Sequence, residues 1–154
     1  MKLSSGVARI AEMMAKGVPV GLGVDGSASN DASNLANELR IAYLLQRLYY
    51  KANAPTGAQL LHIATQGGAD LLHREDIGSL EVDKCADLFM VSKDRLSLAG
   101  CFDDVAAIPA TIGFQEPVDL TMVGGKVIYR NRKFENVEMN GHISKVNRHS
   151  SILR

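Results

Sequence analysis

One carboxylate stands where an apolar run ends, and small polar residues follow it at short spacing. The run 18–24 leads directly to Asp25, and Ser27 and Asn30 come soon after it. A carboxylate can bind a cation or move a proton, and hydroxyl and amide groups can hydrogen-bond a polar ligand. The pattern indicates a buried strand that presents Asp25 at its C-terminal tip, where α/β barrels place their chemistry.

The sequence on either side of Asp25 predicts the helices and strands that must position this carboxylate. Apolar residues recur at helical spacing from Val7 to Met14 and from Leu35 to Tyr49, and TGAQ (56–59) has the form of a capping box. From about residue 78 the pattern becomes strand-like, and GGK (124–126) predicts a hairpin turn. The last dozen residues predict at most a weak helix.

Composition argues against several classes of function. Lysine plus arginine and aspartate plus glutamate number 17 each, so the formal net charge is zero and nucleic acid is not an expected partner. No apolar run approaches the roughly 20 residues that span a bilayer, and the first residues do not have a signal-peptide core. We therefore expect no membrane partner and a cytoplasmic location. Cys85 and Cys101 have no disulfide or zinc-ribbon spacing, which is typical of reduced thiols.

The same glycine-rich run offers a competing interpretation. GLGVDG (21–26) satisfies the dinucleotide-binding pattern G-x-G-x-x-G, which is weak when it stands alone. Its glycines lie within the predicted strand instead of after it, and Asp25 would direct a carboxylate toward a pyrophosphate. We therefore do not expect a nucleotide-binding Rossmann unit.

The predicted strand raises a physical difficulty. A strand of the parallel type exposes unpaired backbone groups at each edge and needs neighbours on both sides. The first half of the chain offers no such neighbour. Either the strand pairs with the strand-rich part of the chain, or the sequence is a piece of something larger.

Four stretches, in this order, resemble the amidohydrolase superfamily: VPVGLGVDGSASND (18–31), ATQGGA (64–69), IGSLEVDKCADL (77–88) and VGGKV (123–127). The first resembles the last barrel strand of that superfamily and the loop after it, in particular in 8-oxoguanine deaminases and hydroxydechloroatrazine-type aminohydrolases. LAG (98–100) and DVAA (104–107) resemble the 8-oxoguanine deaminase branch. The resemblance covers nearly the whole chain.

The resemblance implies an α/β fold. The chain would be a C-terminal fragment of a (β/α)8 TIM-type barrel, with the last strand and its flanking helices, plus part of a small β-sandwich. The implied division is a barrel segment 1–76, a sandwich segment 77–140 and a tail or helix 141–154. MKLSSG (1–6) resembles an internal family segment, so we expect Met1 to be an internal methionine of a longer reading frame.

The resemblance also implies the site. Asp25 would be both a metal ligand and the catalytic carboxylate, with a divalent metal, zinc or iron, in the parent enzyme. None of the four histidines matches a ligand position of the family, so we expect this chain alone to bind no metal. Asn30 and Ser27, in the loop after Asp25, are predicted substrate contacts, although both residue types also suit turns and helix caps.

The implied reaction is hydrolytic deamination of an aminated, purine-like heterocycle such as 8-oxoguanine. The chain alone would be inactive. The alternative, from another class, is a non-catalytic domain that self-associates or pairs with a partner chain through exposed barrel edges. The expected partners are thus a small heterocycle, further copies of the chain or the missing barrel elements.

Overall fold

The computed structural model describes residues 3–114 and 116–152. Its first part contains the helices α1 (Ile10–Ala15), α2 (Leu35–Tyr50), α3 (Gly57–His62) and α4 (Gly68–Leu71), with a π-helical turn at Ile63–Gly67 between the last two. The second part contains β1 (Leu88–Met90), α5 (Ile108–Thr111), β2 (Leu120–Val123), β3 (Lys126–Arg130), β4 (Lys133–Phe134) and α6 (Met139–Ile152). Short 3₁₀ helices lie at Lys51–Asn53, Leu96–Leu98 and Phe102–Ala107.

The chain divides into two compact units that alternate along the sequence. The helical unit comprises Met1–Lys84 and Lys93–Glu116, and the sheet unit comprises Cys85–Ser92 and Pro117–Arg154. The division into 1–76, 77–140 and 141–154 that the resemblance implies stays a prediction.

Helix α2 is the centre of the helical unit. It begins at Leu35 because the side-chain oxygen of Asn34 accepts hydrogen bonds from the first free backbone N–H groups of the helix. α2 lies against α1, α3 and α5. The buried core contains one residue from each of α1, α2, α3 and α5 and one from the π-helical turn: Ile10, Leu39, Leu60, Ile63 and Ala110.

One buried polar side chain joins α2 to α1. Gln46 is 1% exposed, and its Nε2 donates to the carbonyl of Ala8 at 2.8 Å while its Oε1 accepts from the N–H of Ala11 at 3.4 Å. The N-cap of α1 has no side-chain hydrogen bond of its own. Gln46 therefore satisfies backbone groups at the start of α1 and fixes it against α2.

The predicted capping box opens α3. The hydroxyl of Thr56 accepts from the backbone N–H of Gln59 at 3.2 Å, and the Gln59 side chain accepts from the backbone N–H of Thr56 at 2.9 Å. The helix then continues through the π-helical turn into α4. The start of this element was thus predictable from four residues.

The sheet unit contains a four-stranded antiparallel sheet in the order β1-β2-β3-β4. The predicted hairpin joins β2 to β3, and Gly124 and Gly125 both have positive φ angles, 54° and 75°. Two such residues in a row are typical of the tight turns that match the twist of hairpin strands.

The chain end forms a helix, one of the two forms predicted for 141–154, and it is longer than the weak helix expected there. α6 contains 14 residues, and the carboxylate of Glu138 accepts a hydrogen bond from the N–H of Gly141 in its first turn. Met139, Ile143 and Val146 recur at helical spacing, which is the signal that the prediction underestimated. No described helix is long and apolar enough to cross a membrane.

The predicted buried strand at 18–24 is not formed: these residues have no regular secondary structure, none of them is fully buried, and they pair with no strand in the described residues. Of the two alternatives for this segment, pairing with the strand-rich part of the chain is not observed among the described residues, whose strands pair with one another. Regular strand structure requires hydrogen bonds to a neighbouring strand, and the described part of the chain places no such strand beside this segment. The N–H of Val18 donates to the carbonyl of Met13 at 3.0 Å, which is a bond to the end of α1.

Candidate functional site

The segment before Asp25 is held on one side by the helical core. Val20 and Leu22 pack against the core, as the two-residue period of an extended chain requires. A Cβ atom on Gly67 would lie 2.3 Å from the carbonyl oxygen of Val20, and one on Gly21 would lie 2.7 Å from Leu71. Glycine at these positions therefore lets the segment lie directly against the π-helical turn and α4.

Asp25 ends this segment in an unusual backbone conformation. Its φ angle is +65°, in the left-handed region, and its side-chain Oδ1 accepts a hydrogen bond from the N–H of Gly26 at 2.7 Å. Aspartate tolerates this region because its short side chain can bond locally in this way. The residue is exposed, and the described residues give its Oδ2 no hydrogen-bond partner.

The loop after Asp25 folds back on itself before α2 begins. The carbonyl of Gly26 accepts from the N–H groups of Ser29 and Asn30, both at 2.9 Å. The Asn30 side chain makes two further bonds: its Nδ2 donates to Oε1 of Glu38 at 2.6 Å, and its Oδ1 accepts from the N–H of Ala32 at 3.0 Å. Asn30 thus connects the loop to the first turn of α2.

An open cleft of about 520 Å³ lies beside this loop. Its polar lining includes three carboxylates and no lysine, arginine or histidine among the described residues: Asp25, Ser29, Asn30, Asp31, Asn37 and Glu38. The rest of the lining is small or apolar residues from the start of the chain, where two serines add hydroxyl groups, from the segment before Asp25, from the loop and from α2. The cleft therefore offers hydrogen-bond acceptors and negative charge to a ligand.

The predicted site residues differ in their placement. Asp25 and Asn30 line the cleft together, whereas Ser27 is exposed outside the lining. His62, His73 and His142 are exposed and also lie outside the cleft. The functional roles of Asp25, Asn30 and Ser27 stay predictions.

Glu38 is one of the cleft residues that sequence reasoning missed, together with Ser29 and Asn37. It is half-buried in the first turn of α2 and bonds Asn30. The sequence signal was an acidic residue in the first turn of the helix that follows the loop. Acidic residues are common there because the helix dipole stabilises them, so the residue did not indicate a site.

Two groups outside the cleft have shifted pKa values. Partial burial raises the pKa of the Tyr50 hydroxyl, and the hydrogen bond to the Glu12 carboxylate raises it further. A hydrogen bond from Ser79 lowers the pKa of Glu81, and the nearby Lys84 ammonium adds to the effect. Neither group belongs to the cleft, so these shifts have no direct bearing on its chemistry.

The described residues do not by themselves fit a catalytic metal ion. Zinc sites use three or four ligands from histidine, cysteine, aspartate or glutamate side chains. Asp31 and Glu38 line the same cleft as Asp25, yet no three such side chains in the described part of the chain come together as a metal-binding group.

Comparison with known proteins settles the family. The amidohydrolase family profile matches residues 1–128. The chain belongs to the amidohydrolase family. Hydroxydechloroatrazine ethylaminohydrolase of Pseudomonas sp. strain ADP is 47% identical over 135 residues, which cover 86% of this chain and 28% of that protein. The 8-oxoguanine deaminase of Pseudomonas aeruginosa is 46% identical over 125 residues, which cover 81% of this chain and 27% of that protein.

Solved structures agree with this assignment. A zinc-bound adenosine deaminase from Xanthomonas campestris matches with a TM-score of 0.91 at 28% identity, covering 99% of this chain and 35% of that one. A zinc complex of atrazine chlorohydrolase from Arthrobacter aurescens matches with a TM-score of 0.84 at 31% identity, covering 92% of this chain and 32% of that one. The fold neighbours are thus amidohydrolases, a family of TIM-barrel enzymes with a divalent metal. The chain spans about a third or less of the length of these relatives.

Proposed function

We propose that this chain supplies part of a metal-dependent amidohydrolase in which Asp25 is the catalytic carboxylate and a metal ligand. The reaction that we propose is hydrolytic removal of an amino group from a purine-like heterocycle of the 8-oxoguanine type. One observation carries the proposal: in a member of this family, Asp25 ends an apolar segment and lines an open cleft. The relatives named for aminohydrolase and deaminase activity, at 46–47% identity, support the choice of reaction.

The chemistry assigned to Asp25 is proton transfer. In the deamination, a water oxygen bonds to the ring carbon and the bond from that carbon to the exocyclic nitrogen breaks. The Asp25 carboxylate accepts one proton from the water and gives it to the leaving nitrogen, so that ammonia departs and the ring keeps an oxygen. The N–H of Gly26 uses one lone pair of Oδ1, so the two carboxylate oxygens keep acceptor positions for both the proton and the metal ion.

The substrate contact that we propose for this loop is Asn30. Two of its side-chain hydrogen-bonding positions are used by Glu38 and Ala32, and one N–H and one lone pair remain for a ring nitrogen or carbonyl. The proposal for Ser27 has no such support, because its side chain lies outside the cleft lining.

The other metal ligands, in this proposal, come from barrel elements outside these 154 residues that pair with segment 18–24. That segment is apolar and unpaired in the described residues, and Val18 is 47% exposed. Unpaired, apolar strand edges bind further strands, and the same edge also supports self-association, the non-catalytic alternative. The chain alone then has no deaminase activity, because one carboxylate cannot replace a shell of ligands.

A chimera tests this proposal. In the 8-oxoguanine deaminase of Pseudomonas aeruginosa, the matching segment, 27% of its length, is replaced by this chain. We expect the chimera to bind zinc and release ammonia from 8-oxoguanine, and Asp25→Asn to lower kcat by about 100-fold to 10,000-fold, the range of general acid–base catalysis.

The matched control is Asp83→Asn. Asp83 is also an exposed aspartate with a positive φ angle, +69°, and asparagine tolerates that conformation equally well. We expect this variant to retain full activity. A folded but inactive chimera contradicts the proposed reaction, and ammonia release by the isolated chain contradicts its dependence on further barrel elements.

A further inference from the structure

We propose that Glu38 is a positioning residue for Asp25, which it holds in place through the side chain of Asn30. This inference rests on the proposed function of Asp25. It gives Glu38, in the first turn of α2, a role in the reaction that the sequence alone does not indicate.

The loop that connects Asp25 to α2 is irregular, and backbone hydrogen bonds close its first turn. The carbonyl of Gly26 accepts the N–H groups of Ser29 and Asn30, and the residues beyond this turn pass through Ser33, whose φ angle is +43°. Such a loop can adopt several paths unless side chains connect it to the body of the unit.

Asn30 provides that connection. Its Nδ2 donates to Glu38 at 2.6 Å across eight positions of sequence, and its Oδ1 accepts from Ala32 at 3.0 Å within the loop. Both Asn30 and Glu38 are half-buried, so water competes less with their bond than it does on an open surface. A bond to a charged carboxylate is also stronger than one between neutral groups.

Glu38 is itself held firmly. Leu39, the next residue, is 3% exposed in the core of the helical unit, and Asn34 caps the helix four residues earlier. The positive end of the α2 dipole stabilises a carboxylate in the first turn. The contacts therefore run without a break from the core through Glu38 and Asn30 to the turn that begins beside Asp25.

Glu38 also lines the cleft, so a direct contact with substrate is the competing interpretation. The two roles predict different measurements. A positioning residue affects how well Asp25 is aligned and therefore lowers kcat, whereas a contact to bound substrate raises KM. A positioning role also requires that Asn30 and Glu38 act as one unit.

The first test is amide hydrogen–deuterium exchange in loop 26–34 of the full chain. We expect Glu38→Ala and Asn30→Ala each to raise the exchange of the Ser29 and Asn30 amides about tenfold, the effect of losing one strong hydrogen bond. The double variant should exchange no faster than either single variant. Glu38→Gln, which keeps a carbonyl acceptor, should lie between Glu38→Ala and the parent.

The matched control is Glu12→Ala, which also removes a carboxylate that accepts a side-chain hydrogen bond, here from Tyr50 at 3.0 Å, but does not touch the loop. We expect it to leave loop exchange unchanged. Unchanged exchange in Glu38→Ala, or additive effects in the double variant, overturns the inference.

The second test uses the chimera. We expect Glu38→Ala to lower kcat about tenfold with unchanged zinc content. KM rises only together with faster loop exchange, because the same loop carries Asn30, the proposed substrate contact. A raised KM with unaltered loop exchange identifies a substrate contact and overturns the positioning role. If the unsubstituted chimera is inactive, the proposed function fails, whereas the exchange data still decide whether Glu38 orders the loop.

Discussion

The helical unit and the sheet unit contain similar apolar residue types but bury them to very different degrees. Every buried apolar residue among those described belongs to the helical unit. The strands of the sheet unit are half-buried or exposed, and Phe89 and Met90 of β1 are 52% and 57% exposed. Side-chain packing therefore stabilises the helical unit, whereas the sheet relies on backbone hydrogen bonds and cross-strand pairs.

This difference shows where a site can be held rigidly. The cleft with Asp25 and Glu38 belongs to the helical unit, where α2 places Glu38 against the loop and the next residue, Leu39, in the core. A proton-transferring carboxylate must be aligned closely with its substrate, and a packed core supplies that rigidity.

The largest effect is expected from the core. Leu60 is 1% exposed, so Leu60→Ala leaves a cavity and should lower the free energy of unfolding by about 3 kcal/mol. Leu72 is 68% exposed and provides the control: Leu72→Ala should change the free energy of unfolding by less than about 0.5 kcal/mol. Urea unfolding followed by circular dichroism measures both. Equal losses in the two variants would contradict the assignment of the core.

The second-largest effect on stability is expected where the segment before Asp25 contacts the π-helical turn. Gly67→Ala forces a Cβ atom against the carbonyl of Val20, so the backbone must move. We expect this variant to lower the free energy of unfolding by about 2 kcal/mol. Gly68→Ala is the control, since a Cβ atom there meets nothing within 4 Å and Gly68 has helical dihedral angles.

We expect Gly68→Ala to leave the free energy of unfolding unchanged or to raise it by up to about 1 kcal/mol. Thermal unfolding of both variants decides the matter. If Gly67→Ala is as stable as Gly68→Ala, the close approach of segment 18–24 to the π-helical turn is wrong.

The smallest effect is expected in the sheet. The rings of Tyr129 and Phe134 meet edge to face, with centroids 4.9 Å apart and planes at 65°. A double-mutant cycle with Tyr129→Ala and Phe134→Ala should give a coupling energy of about 1 kcal/mol. A coupling near zero would mean that this pair adds nothing to the β3–β4 hairpin, and a value as large as the Leu60 effect would remove the contrast between the units.

Local signals in the sequence predicted much of this molecule. The Thr56 capping box, the α2 helix and the Gly124–Gly125 turn depend on residues within a few positions of one another, and the structure contains all three. The family assignment was also predictable, because several motifs occur in the right order.

Features that depend on distant parts of the chain were not predictable. The state of segment 18–24 depends on whether a neighbouring strand exists, which its own residues do not encode. The bond between Asn30 and Glu38 depends on the path of an irregular loop, and asparagine suits a turn as well as it suits a ligand site.

The most direct test of the account is the position of the metal relative to Asp25. Crystals of the chimera, measured at the zinc absorption edge, locate the ion. We predict one zinc with a carboxylate oxygen of Asp25 about 2.0–2.2 Å from it, the usual zinc–carboxylate distance. A bound zinc that Asp25 does not contact, or a folded chimera without zinc, would contradict the role assigned to this residue.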